Sequence, residues 1–460
     1  MIKKIKIAVL GLILSLFFTL FRPSLHAANN IKVYFNHPEI STTTSQIANP
    51  HTGLDESLLE FIESAGSDDV LYASFYRMTD ETYTDAFNDA LDRGATVYFM
   101  TDGNDGDSDA YDNIKSTKMA ADSGDDHSMH NKFVVLKDSA VWTGSANLTS
   151  SAFYEQNNNA VTVYSKDLAG LYEDEFLYMW EEEKFSDDKD RADPGGSVEV
   201  DGVEVEVYFS PYGSNSRVIS DYIDESENSI IFNMYTFSEA EVRIIDALKE
   251  AHDRDVTVKG VVDRTQRSTS VRAKEELSKY GLDVILDNNP YGLLHHKFVV
   301  IDHGTPDAKV ITGSYNWTTQ ANSDHDENFL VIHSSAVAGL FWEEAQKNYS
   351  LGSGGEITRG NPAVDEVRVY PSPANFTDRV HIGYRLSAGV TDVDISIYTV
   401  SGEEVVNMEP RFYPGAENET VWDLKNSSGN DVAPGLYMVK VAGTTGDGTF
   451  YEIEKFAVVR

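Results

Sequence analysis

His295-His296-Lys297-Phe298-Val299-Val300-Ile301-Asp302, followed by Thr312-Gly313-Ser314-Tyr315-Asn316, is the stretch that sets the fold. The apolar run Phe298 to Ile301 reads as a buried strand, and Gly-Ser-x-Asn as the start of the next strand or loop. In an extended chain, residues two apart share a face, so His295 and Lys297 set an imidazole beside an ammonium. The same pattern occurs earlier, where His130-Asn131-Lys132-Phe133-Val134-Val135 runs on to Thr143-Gly144-Ser145-Ala146-Asn147. One His-x-Lys strand is an ordinary sheet end. Two, each with its Gly-Ser-x-Asn, are a repeat.

The repeat extends outward from there. The run Ile31 to Asn36 recurs as Val205 to Ser210, each followed by apolar residues at helical spacing, Leu58, Leu59, Phe61 and Ile62 or Val218, Ile219, Tyr222 and Ile223. The β-rich runs Val70–Tyr76 and Ile230–Phe237 match, as do Thr96–Asp102 and Val256–Asp263, and each copy closes on a helix containing Ala-Gly-Leu at 169–171 or 338–340. Strands alternating with helices predict two α/β domains, 29–185 and 203–350, side by side about a pseudo-twofold axis, with a polar linker over 186–202. A Gly-rich linker, 351–363, leads into short alternating strands (Val367–Tyr370, Val380–Leu386, Val393–Tyr398, Leu436–Val441), which predict a small C-terminal β-sandwich over 364–460.

The 460 residues carry 37 Lys+Arg against 75 Asp+Glu, a formal charge of -38, with 41% hydrophobic residues. That apolar content excludes a disordered chain. With Cys 0, disulfides, Cys-ligated zinc, iron–sulfur clusters and cysteine nucleophiles are excluded too. Lys3, Lys4 and Lys6 precede the apolar run Ile7–Phe21, and small residues follow near Ala27 and Ala28, which predicts a signal peptide over 1–28 and a secreted or cell-surface location. Loss of its four basic residues takes the charge from -38 to -42, and no membrane anchor is then expected. So acidic a surface repels anionic polymers and bilayers at long range unless a local basic cleft offsets it.

Two histidines and two lysines suit phosphodiester cleavage. One neutral imidazole attacks phosphorus, while the other, protonated, donates to the departing oxygen and then activates water or an alcohol. Lys132 and Lys297, with Asn147, Asn316 and the hydroxyls of Ser145 and Ser314, would bind the phosphoryl oxygens. No metal or cofactor is required.

Both copies resemble the phospholipase D superfamily, whose signature is His-x-Lys, four residues, Asp, then Gly-Ser-x-Asn. His295, Lys297 and Asp302 match it in full, while the first copy has Lys137 at the acidic position and Asp138 one residue late. The resemblance implies a covalent phosphohistidine and a downstream carboxylate that orients each histidine. Glu327 fits that place for His295; in the first copy Asn158 stands there, with Glu155 nearby. Glu327 locally favours His295 as nucleophile, whereas tandem members more often use the N-terminal histidine, so the roles of His130 and His295 stay open. His127 and His296 adjoin the motif as supporting or exposed groups. The C-terminal piece, through Tyr370-Pro371-Ser372-Pro373, Trp422-Asp423 and Pro434-Gly435-Leu436-Tyr437, resembles the Ig-like domains of flagellar hook-cap proteins and type IX secretion sorting tails.

The second copy looks most like the small bacterial endonucleases of the superfamily, which pair two identical domains; here one chain supplies both, so a monomer is expected. Arg264 and Arg267, with Arg272 and Lys274, form a basic segment able to track a phosphate backbone if it faces the cleft. Phospholipid head groups are the alternative substrate, and a non-catalytic, phosphate-binding surface protein is the reading from another class. The secretion machinery or the cell surface would be the partner of the C-terminal domain. Asp105-x-Asp107-x-Asp109 echoes a calcium loop, but Ala110 stands where the loop needs Gly, and a solvated acidic loop is expected.

Overall fold

Lys132–Leu136 and Lys297–Ile301 are inner strands of two eight-stranded mixed sheets built to one plan. The first runs Thr44–Ser45, Ile31–Phe35, Asn159–Val163, Ala140–Gly144, Lys132–Leu136, Val70–Phe75, Thr96–Asp102, Thr117–Ala121. The second runs Gly196–Val200, Val203–Phe209, Asn328–Ile332, Lys309–Gly313, Lys297–Ile301, Ser229–Met234, Thr257–Val262, Asp283–Leu286. The last three strands of each are parallel and the other pairings antiparallel. The computed structural model describes residues 30–36, 44–45, 53–103, 108–121, 127–289, 292–353, 364–370, 374–375, 379–386, 390–399, 404–408, 410–414, 416–445 and 448–459. The expected signal peptide, most of the 351–363 linker, and Asp105 and Asp107 lie outside them.

Alternation along a strand sorts its side chains into two layers. Phe133 and Val135 point into one core together with Phe298 and Val300, whereas Val134 and Val299 point into separate outer cores under each half's own helices. Two long helices, Lys166–Glu182 and Ser335–Gly352, fill the shared core. Ser165 and Ser334 cap them by accepting from the Leu168 and Val337 N–H groups, and Leu168, Tyr172 and Phe176 or Val337, Phe341 and Ala345 recur at helical spacing on the buried face. Parting the halves would expose Phe35, Tyr172, Phe209, Phe298 and Phe341, at roughly 1.5–3 kcal/mol each.

The contacts between halves are reciprocal, as a pseudo-twofold axis requires. Thr143 Oγ1 donates to Asn328 Oδ1 at 2.9 Å, and Asn159 Nδ2 donates to Thr312 Oγ1 at 2.7 Å. The glycines of Gly-Ser-x-Asn have a steric reason, since a Cβ on Gly144 or Gly313 would run into the carbonyl oxygen of Asn159 or Asn328.

The segment expected as a polar linker, 186–202, is not one. Ser186 is buried, and Lys189 carries a fully buried ammonium, 2.5 Å from Glu175 Oε1 and 2.6 Å from Asp326 Oδ1. Gly196–Val200 then pairs as an edge strand with Val203–Phe209. Its two basic residues, Lys189 and Arg191, are partners of buried carboxylates.

By contacts the chain divides into Met1–Gly354 and Gly355–Arg460. The second unit has a three-stranded sheet, Val364–Tyr370, Val380–Leu386 and Glu417–Trp422, and a five-stranded one, Ala374–Asn375, Gly448–Val459, Gly435–Thr445, Asp392–Thr399 and Glu404–Met408. Ile382 and Trp422 from one sheet and Ile395, Val439 and Phe456 from the other share a core, which makes a sandwich. Trp422 satisfies its indole N–H on Lys425 O at 2.8 Å.

Candidate active site

Each motif histidine stands just before its strand and is gripped from both halves. Ser128–Met129 pairs in parallel with His325–Asp326 of the second half, and the His130 N–H donates to Asp326 O at 2.9 Å. Symmetrically, the His295 N–H donates to Asn157 O and the Asn157 N–H to Leu293 O, both at 2.9 Å. Two buried aspartates complete the grip. Asp102 accepts from the Met129 N–H at 2.7 Å and Asp263 from the Leu294 N–H at 2.9 Å. Their place at the matching end of both repeats was the signal for this role, which sequence reasoning passed over.

This exchange crosses the orienting groups. His130 Nδ1 lies 2.8 Å from Glu327 Oε2, while His295 Nδ1 lies 2.9 Å from Asn158 Oδ1. The expectation that Glu327 serves His295 and Asn158 serves His130 is therefore corrected, because each loop reaches the histidine of the other half. Glu155 serves neither; its backbone carbonyl accepts from Asn289 Nδ2. The His130–Glu327 approach is a close contact that falls outside hydrogen-bond geometry. Asn158 Nδ2 donates to Ala152 O at 2.8 Å, which turns Oδ1 toward His295 and assigns that imidazole's proton to Nδ1.

The serines hold the orienters instead of facing a ligand. Ser145 Oγ donates to Asn158 Oδ1 at 2.7 Å, and Ser314 Oγ accepts from the N–H of Asn328, the residue after Glu327, at 3.0 Å. Both are fully buried and each single hydroxyl proton is taken up within the protein, by Asn158 Oδ1 or by Asn328 O, which corrects their expected place on the phosphoryl oxygens.

Lys132 and Lys297 are buried under the histidines. Each Nζ donates to the carbonyl of its own histidine at 2.8 Å and lies over an aromatic ring, Tyr76 at 5.4 Å or Tyr235 at 4.9 Å. Burial pushes Lys132 down to about 7 against the pull of Glu327 and Asp102, and pushes Lys297 well below its usual range, with Lys132 adding to the effect. Burial, and then both lysines, also hold His130 and His295 below the ordinary imidazole value. Glu327 is driven up to about 7 by burial, opposed first by Lys132. The site is a compact set of desolvated groups that an incoming anion would relieve.

Above it opens a cavity of about 570 Å³ lined by both histidines, by Tyr76 and Tyr235, and by Asn147 and Asn316. Asn316 Oδ1 accepts from the Thr236 N–H at 3.3 Å, which leaves its Nδ2 as a donor for a ligand. Among the described residues, none lining the cavity is Asp or Glu.

Three expected site residues lie elsewhere. Asp302, at φ +53°, accepts from the Glu227, Asn228 and Ser229 N–H groups at 3.1, 2.6 and 3.1 Å and so fixes the turn behind the strand; it is not catalytic. Arg264 is paired with Asp287 at 3.1 Å and Arg267 is exposed, and neither lines the cavity. Asp287 offsets the Arg264 charge and Glu239, at 3.2 Å, that of Arg272. His296 is buried between Asn159 Oδ1 and Glu344 Oε1, at 3.1 and 3.0 Å, and His127 contacts Asp187 at 3.3 Å. Two cavity residues able to carry positive charge were missed, Arg77 and His325. Neither recurs in the other copy, so the repeat gave no signal for them.

Two fused α/β halves that pool one histidine and one lysine each define a two-histidine, phospholipase D-type protein. A family model described as "Cardiolipin synthase, PLD-like domain" matches residues 58–180 and again 219–349, more than half the chain, and the chain belongs to that phospholipase D-like family. A "FlgD Ig-like domain" model matches residues 372–447. The chain is 33% identical over 140 residues to the phospholipase D of Rickettsia conorii, a stretch covering 30% of this chain and 66% of that protein, just under two thirds of its length. It is 36% identical over 101 residues to the human mitochondrial cardiolipin hydrolase, covering 22% of this chain and 38% of that one. Among solved structures, the phosphatidylserine synthase of Haemophilus influenzae shares the fold over 71% of this chain and 89% of that one, with a TM-score of 0.53 and 11% identity. Nuc of Salmonella typhimurium, a phospholipase D family member, matches 33% of this chain and 96% of its own, with 30% identity and a TM-score of 0.30.

Proposed function

We propose that the protein hydrolyses phosphodiesters through a phosphohistidine on His130. The observation that carries this is the contrast between partners, a carboxylate at 2.8 Å from His130 and a neutral amide at 2.9 Å from His295. With its Nδ1 proton facing Glu327, His130 presents Nε2 to phosphorus and gains an anion to stabilise the developing imidazolium. The P–N bond forms as the P–O bond to the leaving alcohol breaks, and protonated His295 gives its proton to that oxygen. Neutral His295 then takes a proton from water, whose oxygen displaces His130 Nε2 from phosphorus. Lys132, Lys297, Asn147 and Asn316 bind the equatorial oxygens. The arriving phosphate draws the lysine and histidine pKa values upward, which charges the groups the first step needs.

Nucleic acid is the substrate that the cavity favours. Its described lining has no carboxylate in a chain of charge -38, and Leu293 and Ala240 are its only aliphatic members, which gives an acyl chain little to bury against. Phospholipid is the second reading, favoured by the names of the Rickettsia and human relatives. The N-terminal pattern and the FlgD-type match support export of the mature chain to the medium or the cell surface.

The test is plasmid cleavage by the mature protein in EDTA across a salt series, beside head-group release from phosphatidylcholine vesicles. Nicking without lipid turnover is expected. Lipid turnover alone would make it a phospholipase, and two blank assays with a folded protein would leave a phosphate-binding module.

A further inference from the structure

The two halves give the cavity matched pairs at its centre, His130 with His295, Tyr76 with Tyr235 and Asn147 with Asn316, but not at its walls. Arg77 precedes Met78, which bridges to Leu148; in the other half Thr236 precedes Phe237, which bridges to Trp317. The exchanged strands differ in the same sense. His325 pairs with Ser128 on one side, whereas Asn157 bridges to Leu294 on the other and so sets Gln156 beside Leu293. Every group outside the catalytic pair that can carry positive charge into the cavity therefore falls on one wall, among the described residues. That wall is the one around His130: its ring centroid is 6.5 Å from that of His325 and 4.9 Å from that of Tyr76, the neighbour of Arg77. The opposite wall, with Thr236, Gln156 and Leu293, is neutral.

We propose that Arg77 and His325 form a subsite for a second phosphate, next to the scissile one, which fixes the direction in which a polynucleotide lies across the two histidines. A guanidinium and an imidazole flanking one opening offer charge-assisted donors to a phosphate, and a neutral facing wall makes the reversed pose lose them. The inference rests on the nuclease reading and adds polarity and a minimum substrate length to it. His325 faces His130, with Glu327, Asp324, His127 and Asp102 as the other charged groups around it.

The test uses two esters of one nucleoside, thymidine 5′-(p-nitrophenyl phosphate) with and without a 3′-phosphate, turned over by the mature protein and by the Arg77→Gln, His325→Gln and double variants. Gln at 325 reproduces what the first half carries at Gln156, so the fold accepts it. The wild type is expected to favour the 3′-phosphorylated ester by about tenfold or more in KM, the order of one or two charge-assisted contacts. The double variant is expected to lose that preference, with each single variant in between. Equal losses on both esters, or no preference in the wild type, would overturn the subsite while leaving the phosphodiesterase reading intact. Turnover of neither ester would overturn the subsite together with the nuclease reading on which it rests. A parallel pair of vesicles tests the other source of paired phosphates: a dependence on Arg77 and His325 seen only for cardiolipin over phosphatidylcholine would overturn the polynucleotide assignment.

Discussion

Glu327 meets His130, the motif histidine of the other repeat, and the assignment of nucleophile turns on that side chain. Replacing it by Gln keeps the shape but removes the anion that stabilises the imidazolium, so Glu327→Gln is expected to lower kcat by about 10² or more; an unchanged kcat would sink the assignment. Lys132 supplies a pH signature. Its folded pKa of about 7 lies below the ordinary lysine value, so the free enzyme loses this ammonium as pH rises through about 7 and captures phosphate less well above it. The kcat/KM profile is therefore expected to fall above pH 7, while the kcat limb lies higher because bound phosphate holds the proton on. Coincident limbs would contradict this. The sequence made His130, Lys132, His295, Lys297 and the two asparagines legible because the repeat printed each twice. It misplaced Glu327 and Asn158 because neighbours in sequence say nothing of which half a loop enters, and it missed His325 and Arg77 because each occurs once.

At the scale of elements, the strap from Ser186 to Arg191 links the two halves' chemistry. Lys189 joins Glu175 on the first long helix to Asp326, whose carbonyl holds the His130 N–H and whose successor is Glu327. Burial would lower this ammonium, yet Asp326 and Glu175 hold it above the usual lysine range, while Asp326 itself is raised by burial to about 6. Lys189→Met leaves the buried Asp326 without its cation and Glu175 with Arg191 alone, and is expected to cost about 3–5 kcal/mol of stability, with a fall in kcat at temperatures where the variant remains folded. Denaturant melts and turnover measured together check this; a stable variant with normal kcat would show the strap to be incidental. Composition predicted a linker here because charged residues usually face water, and only the fold reveals the buried partners. The strands, by contrast, were readable from their apolar runs, and the sandwich strands Glu404–Met408 and Glu417–Trp422 were not, being too polar to stand out.

For the whole molecule, every described residue lining the cavity belongs to the unit Met1–Gly354, and the second unit has a core of its own. Removing residues 355–460 is expected to leave kcat on a soluble diester unchanged within about twofold; a large loss would assign the sandwich a part in turnover. The central claim is that one molecule pools two halves into one site, with His130 taking the phosphoryl group and His295 moving the proton. Acid-free rapid quench of the protein with a labelled diester, followed by peptide mapping, tests it most directly. Label is expected on the peptide carrying His130, accumulating further in His295→Ala with an activated leaving group, because the second step then lacks its base. Label on the His295 peptide, or turnover with no labelled histidine at all, would contradict it.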